Sequence, residues 1–244
     1  MSRQGRDYFR RRGTYRQHTH RPLNCLLFLL PMLVAFHLGT LVWGTNLLAW
    51  RDVHRVLKYF GTTVTFLPAL VVAILLLIQH WVRRDAWRFQ PLVLAGMLGE
   101  SGIGILPLIA ISHLTGKIVM HAATATAPAW SLTTQQVLSG IGAGIYEEFI
   151  FRMLLIGIIL VILVDALGLD KHIVATVAVL LSAALFSLYH FPAEQLAGHS
   201  PFPWKDFTFR ALAGAYLGVV YIARGFGVCA GVHALFNVYV TMVN

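Results

Sequence analysis

The fold class this chain predicts is all-α: a polytopic transmembrane bundle of about six to eight membrane helices. Three observations carry that prediction. The 244 residues are 57% hydrophobic and only 12% charged, where a soluble domain carries roughly 25% charge. Mean hydropathy is +0.70. Seven apolar stretches, 25–44, 61–81, 90–113, 134–164, 172–191, 206–223 and 226–243, approach the roughly 20 residues that a helix rising 1.5 Å per residue needs to cross a bilayer. Those stretches leave no room for a separate soluble domain. The chain divides into a basic arm (1–22), N-terminal spans with an interfacial helix (23–133) and a core (134–244) that holds the most unusual polar residues.

The arm places Arg3, Arg6, Arg10, Arg11, Arg12, Arg16 and Arg21 ahead of the first apolar run. Basic residues flanking a span are retained on the cytoplasmic side, so the N-terminus is expected in the cytoplasm. The net charge of +9 therefore points to lipid headgroups rather than to nucleic acid, because its largest cluster adjoins a membrane span. The run Cys25–Trp43 exceeds the roughly 7–15 residues of a signal-peptide core, and no A-x-A site follows, so it reads as a span. Between the first two spans, 46–60 mixes Leu47, Leu48, Trp50, Val53, Val56 and Leu57 with Arg51, Arg55 and Lys58, the pattern of an amphipathic helix in the interface. Arg83, Arg84 and Arg88 follow the second span and agree with a cytoplasmic N-terminus, whereas Arg51, Arg55 and Lys58 oppose it. Residues 115–133 are small and polar and read as a surface loop. The fourth stretch is too long for a perpendicular crossing and is expected to tilt, kink or start in the headgroup layer. Pro192 ends the fifth, 192–205 reads as a connector, and Gly225 marks a tight turn between the last two. Cys25 and Cys229 lie in apolar runs, with no spacing that suggests a disulfide or a metal site.

Polar chemistry concentrates in three short patterns on separate spans: Glu147-Glu148-x-x-x-Arg152, Phe186-x-x-x-His190 and His233-x-x-x-Asn237. An ionisable group at the centre of a membrane helix costs on the order of 2.5–3.5 kcal/mol, so such residues are functional candidates by default. The chain has four Glu in all, and two stand side by side here. Glu148 and Arg152 are i,i+4 in the order that favours an ion pair. Glu147 points about 100° away around the helix and is left without that partner, which suits a general base. Sharing of Arg152 by both carboxylates, as a packing lock, is the competing reading. His233 and Asn237 lie on one helix face and can donate hydrogen bonds to a developing oxyanion, or act as an interhelical clamp. His190 closes its span near a membrane surface.

In order and spacing these residues resemble the CPBP intramembrane proteases, also called CAAX-protease or Abi proteins, whose pattern EExxxR, FxxxH and HxxxN is met by Glu147, Glu148, Arg152, Phe186, His190, His233 and Asn237. The resemblance covers roughly 134–243. It implies that Glu147 and His190 activate a water for attack on a peptide carbonyl, that His233 and Asn237 hold the oxyanion, and that Glu148 and Arg152 brace the site. It implies no obligatory cofactor. Zinc held by Glu147, His190 and His233 is the alternative, disfavoured because H-E-x-x-H is absent and Asn237 suits an oxyanion hole better. The expected partners are membrane lipids and a membrane-associated or lipid-modified protein or peptide as substrate.

Two other classes compete with the endopeptidase. Buried Glu, His and Arg on several helices also describe a proton-coupled transporter, which Gly140, Gly142 and Gly144 before Glu147 would suit, although no matching half-repeats are visible. A non-catalytic scaffold or immunity protein would have no need of the full polar set. Glu100, within Gly99-Glu100-Ser101-Gly102, reads either as a residue facing the site or as a satisfied polar group at a glycine-rich break.

Overall fold

The computed structural model describes residues 14–43, 66–116 and 129–243, and among these every regular element is a helix. The short α1 (Tyr15–Thr19) leads into α2 (Pro22–Trp43), α3 (Leu67–Val82), α4 (Pro91–Leu114) and α5, which starts at Ala129. Then come α6 (Lys171–Leu188), the four-residue α7 (Ala193–Leu196), α8 (Trp204–Arg224) and α9 (Phe226–Val243). All seven apolar stretches are helical over most of their described residues. Five of the helices are long and apolar enough to cross a membrane, and α3 is a shorter apolar helix. The chain is an integral membrane protein. The arm up to Gly13 and the amphipathic segment 46–60 lie outside the described residues.

Local chemistry sets most boundaries. Thr14 and Gln17 form a reciprocal capping box at the start of α1. Pro91 sits in the first turn of α4, where its missing N–H costs nothing. The Asp170 side chain accepts from the backbone N–H groups of His172 (3.0 Å) and Ile173 (2.9 Å) and starts α6. Gly225, at φ 89°, is the single residue between α8 and α9. That left-handed conformation is why the tight turn uses glycine.

One boundary differs from the sequence reading. The surface loop expected to run to 133 ends earlier, because α5 begins at Ala129. The long fourth stretch is one unbroken helical rod. Its α-helical part, Ala129–Glu148, passes into π-helix over Phe149–Ile156, back to α over Gly157–Leu160, and into π-helix again over Val161–Ala166. The first π stretch begins one residue after the Glu147–Glu148 pair, a setting in which π-helical turns recur at functional sites.

The core inverts soluble-protein logic. Large apolar side chains such as Leu92, Ile103 and Leu106 face outward, while His37, Ser101, Glu148, Arg152, Ser182, Ser187 and His233 are buried. Helix α9 is the central element: Phe226 to Ala234 is buried without interruption, and α9 packs against α5, α4, α8 and α2. Its approach to α5 is close enough that a Cβ on Gly144 would lie 2.6 Å from Ala234 Cα and 2.8 Å from Ala234 Cβ. Small residues let membrane helices meet backbone to backbone, and here the contact falls beside both His233 and the glutamate pair.

Candidate active site

Adjacent on α5, the two glutamates face different surroundings, as the 100° offset requires. Glu148 is fully buried and lies 3.0 Å from Arg152 Nε. Arg152, equally buried, also donates from Nη2 to the Gly214 carbonyl on α8 at 3.0 Å, and its guanidinium stands 4.6 Å from the centre of the Phe186 ring on α6. This one cation therefore ties α5, α6 and α8 together. The other oxygen of Glu148 accepts from His233 Nδ1 at 2.7 Å. Cys229, one turn before His233 on α9, holds its thiol 3.0 Å from Glu148.

Glu147 instead faces a cavity of about 180 Å³ lined by His190, His233, Asn237, Phe186 and Arg210, among others. Its two oxygens lie 3.7 Å from His190 Nε2 and 3.8 Å from His233 Nε2. Those separations are too long for direct hydrogen bonds and are the distances at which a bridging water is to be considered. Glu147, left without Arg152 by helical spacing, is a carboxylate flanked by two imidazoles.

The second nitrogens of those rings constrain their chemistry. His190 Nδ1 lies 2.8 Å from the Phe186 carbonyl, which can only accept, so Nδ1 carries the hydrogen. In the neutral ring Nε2 then presents a lone pair to the cavity. His233 Nδ1 faces the Glu148 carboxylate and also donates. Its Nε2 is a donor only when the ring is protonated on both nitrogens. Asn237 Nδ2 donates to the Gly140 carbonyl at 3.1 Å, which occupies one of its two N–H groups while the side chain still lines the cavity.

The structure brings Glu147, His190, His233 and Asn237 to one cavity and sets Glu148 and Arg152 behind it. Glu100 does not line this cavity: it accepts from Arg224 Nη2 (2.8 Å) and Tyr15 OH (3.0 Å) beside another cavity, bounded by Gly104 and Tyr216. The satisfied-polar-group reading of Glu100 is the one that fits. Sequence reasoning missed Arg210 and Cys229. The signal for Arg210 was present, since an arginine inside the 206–223 span is costly unless it faces protein or a cavity. Cys229 carried none, because a free thiol behaves as a small hydrophobe until its neighbour is known.

Among the described residues, no group of three His, Cys, Asp or Glu side chains is arranged to hold a metal ion. Glu147, His190 and His233, the set considered for zinc, thus do not fit one as they stand.

No curated protein and no solved structure matches the chain. A family model does: residues 129–239, which span the helices carrying all three motifs, match the one described as type II CAAX prenyl endopeptidase Rce1-like, a match consistent with the CPBP/CAAX proteases.

Proposed function

We propose that the chain is a metal-independent intramembrane endopeptidase in which Glu147 and His190 activate water and His233 and Asn237 receive the oxyanion. The observation that carries this reading is the placement of Glu147 between two imidazole Nε2 atoms, at 3.7 and 3.8 Å, inside a largely apolar cavity. A water between Glu147 and His190 meets two acceptors. It gives a hydrogen bond to each and is left with a lone pair directed away from both. Glu147 takes the proton as oxygen attacks the peptide carbonyl carbon. Negative charge then grows on the carbonyl oxygen, where the second Asn237 N–H and His233 Nε2–H would meet it. That role demands the imidazolium form of His233, which the carboxylates of Glu147 and Glu148 flank on either side. Collapse of the intermediate breaks the C–N bond, and Glu147 returns its proton to the leaving amine.

The substrate we propose is a peptide segment of a membrane-associated or lipid-modified protein, with bilayer lipids as surroundings. Detergent-purified wild type and Glu147→Gln would be incubated with a membrane-protein and lipopeptide library, with and without a zinc chelator, and cleavage read by mass spectrometry. Cleavage by wild type alone, unchanged by chelator, is the expected result. Cleavage by folded Glu147→Gln would overturn the general-base role, and chelator-sensitive cleavage would overturn metal independence.

A further inference from the structure

The ends of the helices sort into two membrane faces. One face is held together by contacts made around α1: Arg16 Nε donates to the Ala223 carbonyl (3.1 Å), Arg83 Nη1 to the His20 carbonyl (2.9 Å), and Asn24 Nδ2 to Gln90 Oε1 (3.2 Å). Arg21 lies 3.9 Å from Asp85, and Lys171 lines the same cleft as His20, Arg83 and Gly225. The start of α2, the α3–α4 connection, the start of α6 and the α8–α9 turn therefore share this end. The opposite end collects Leu114, Leu188 and Trp204.

Basic residues are distributed unequally between the ends. Of the 19 Lys and Arg, the first end has, among the described residues, Arg16, Arg21, Arg83, Arg84, Arg88, Lys171 and Arg224. Among the described residues the other end has Lys205 and Arg210. By the positive-inside rule the first end is cytoplasmic.

The cavity lies toward the other end. Counted at 1.5 Å per residue, His190 is about 28 Å from Lys171 along α6, Leu108 about 26 Å from Pro91 along α4, and Arg210 about 21 Å from Arg224 along α8. Leu217 and His233, each about 10 Å from the basic end, form its floor. The hydrocarbon layer is about 30 Å thick, so the cavity runs from within the membrane toward the connection between His190 and Trp204.

We propose that the candidate site opens on the membrane face away from the cytoplasm, so that its substrate is a peptide segment presented from that side and not the cytoplasmic tail of a protein. The proposal rests on the protease reading only in naming the occupant a peptide; the direction of opening stands apart from it. It is tested by single-cysteine labelling of the full chain in right-side-out membrane vesicles with a membrane-impermeant maleimide. His199→Cys sits on the exposed connection beside the cavity, and Phe89→Cys on the exposed basic face. The native Cys25 and Cys229 are buried at 2% and 0% exposure and stay unlabelled. The expected result is labelling of His199→Cys in sealed vesicles, with Phe89→Cys labelled only after permeabilisation. Any other pattern in correctly inserted protein overturns the proposal. Labelling needs no cleavage, so an inert wild type in the peptide library would count against the protease reading and leave this result standing.

Discussion

Gly144→Ala should loosen the site without touching any polar residue. A Cβ at this position would run into the Ala234 backbone nitrogen and sit 2.6 Å from Ala234 Cα, where ordinary contact begins at 3.4 Å, so α5 and α9 must separate locally by about 1 Å. Gly144 is one turn before Glu147, and Ala234 follows His233, so the displacement acts on the 3.8 Å Glu147–His233 separation. Alanine favours a helix over glycine by about 1 kcal/mol, whereas overpacking costs about 1–3 kcal/mol. Gly157 on the same rod supplies the control, because its Cβ would meet nothing within 4 Å. The two substitutions share the propensity gain and should differ by the overpacking cost alone, about 5- to 150-fold in the unfolding equilibrium. Unfolding of both variants by denaturing detergent in mixed micelles measures that difference. Cleavage of a peptide found with wild type should fall by up to about 100-fold for Gly144→Ala, the scale of a 1 Å misplacement, and stay at the wild-type level for Gly157→Ala. If Gly144→Ala proves as stable and as active as Gly157→Ala, the close helix contact does not set the site.

Arg152→Met leaves Glu148 buried without its guanidinium, and stability should fall by about 3–5 kcal/mol; adding Glu148→Gln should recover part of the loss in the same unfolding assay. Arg210→Met removes the cation that lines the cavity 5.2 Å from the Phe191 ring. The KM of a cleaved peptide with a free C-terminal carboxylate should rise by about tenfold, roughly 1.4 kcal/mol, while kcat and the KM of its amidated form hold. Tyr15→Phe removes one donor to Glu100 but leaves the Arg224 pair, so unfolding should shift by less than about 1 kcal/mol and cleavage not at all.

The spans were legible because burial in lipid leaves long apolar runs, and the i,i+4 spacing of Glu148 and Arg152 read correctly because both lie on one helix. What the chain did not announce was lateral packing. Nothing in the sequence assigns Gly140 to the Asn237 amide or Gly214 to Arg152, since a backbone carbonyl has no residue-specific signature. Glu100 shows the same limit: its partners Arg224 and Tyr15 are 124 and 85 residues away, so its role follows from which helix ends meet. The π-helical turn after Glu148 was equally hidden, because Phe149–Ile156 reads as ordinary apolar helix.

Doubling the glutamate gives one helix turn two electrostatic tasks. Glu148, Arg152 and Cys229 form a dry layer in which the guanidinium and carboxylate neutralise each other, and the desolvation cost is offset by the Gly214 carbonyl and the Phe186 face. Glu147 is one residue away, yet it meets the cavity and exchanges its partners for imidazoles. His233 belongs to both layers, with Nδ1 on Glu148 and Nε2 toward Glu147. Only a ring protonated on both nitrogens lets Nε2 donate to an oxyanion while Nδ1 donates to Glu148. The layer that holds the helices together thereby also orients the residue that would meet the transition state, and a lysine at 152 would not reproduce it: a compact ammonium lacks the planar fork that reaches Glu148 and the Gly214 carbonyl together.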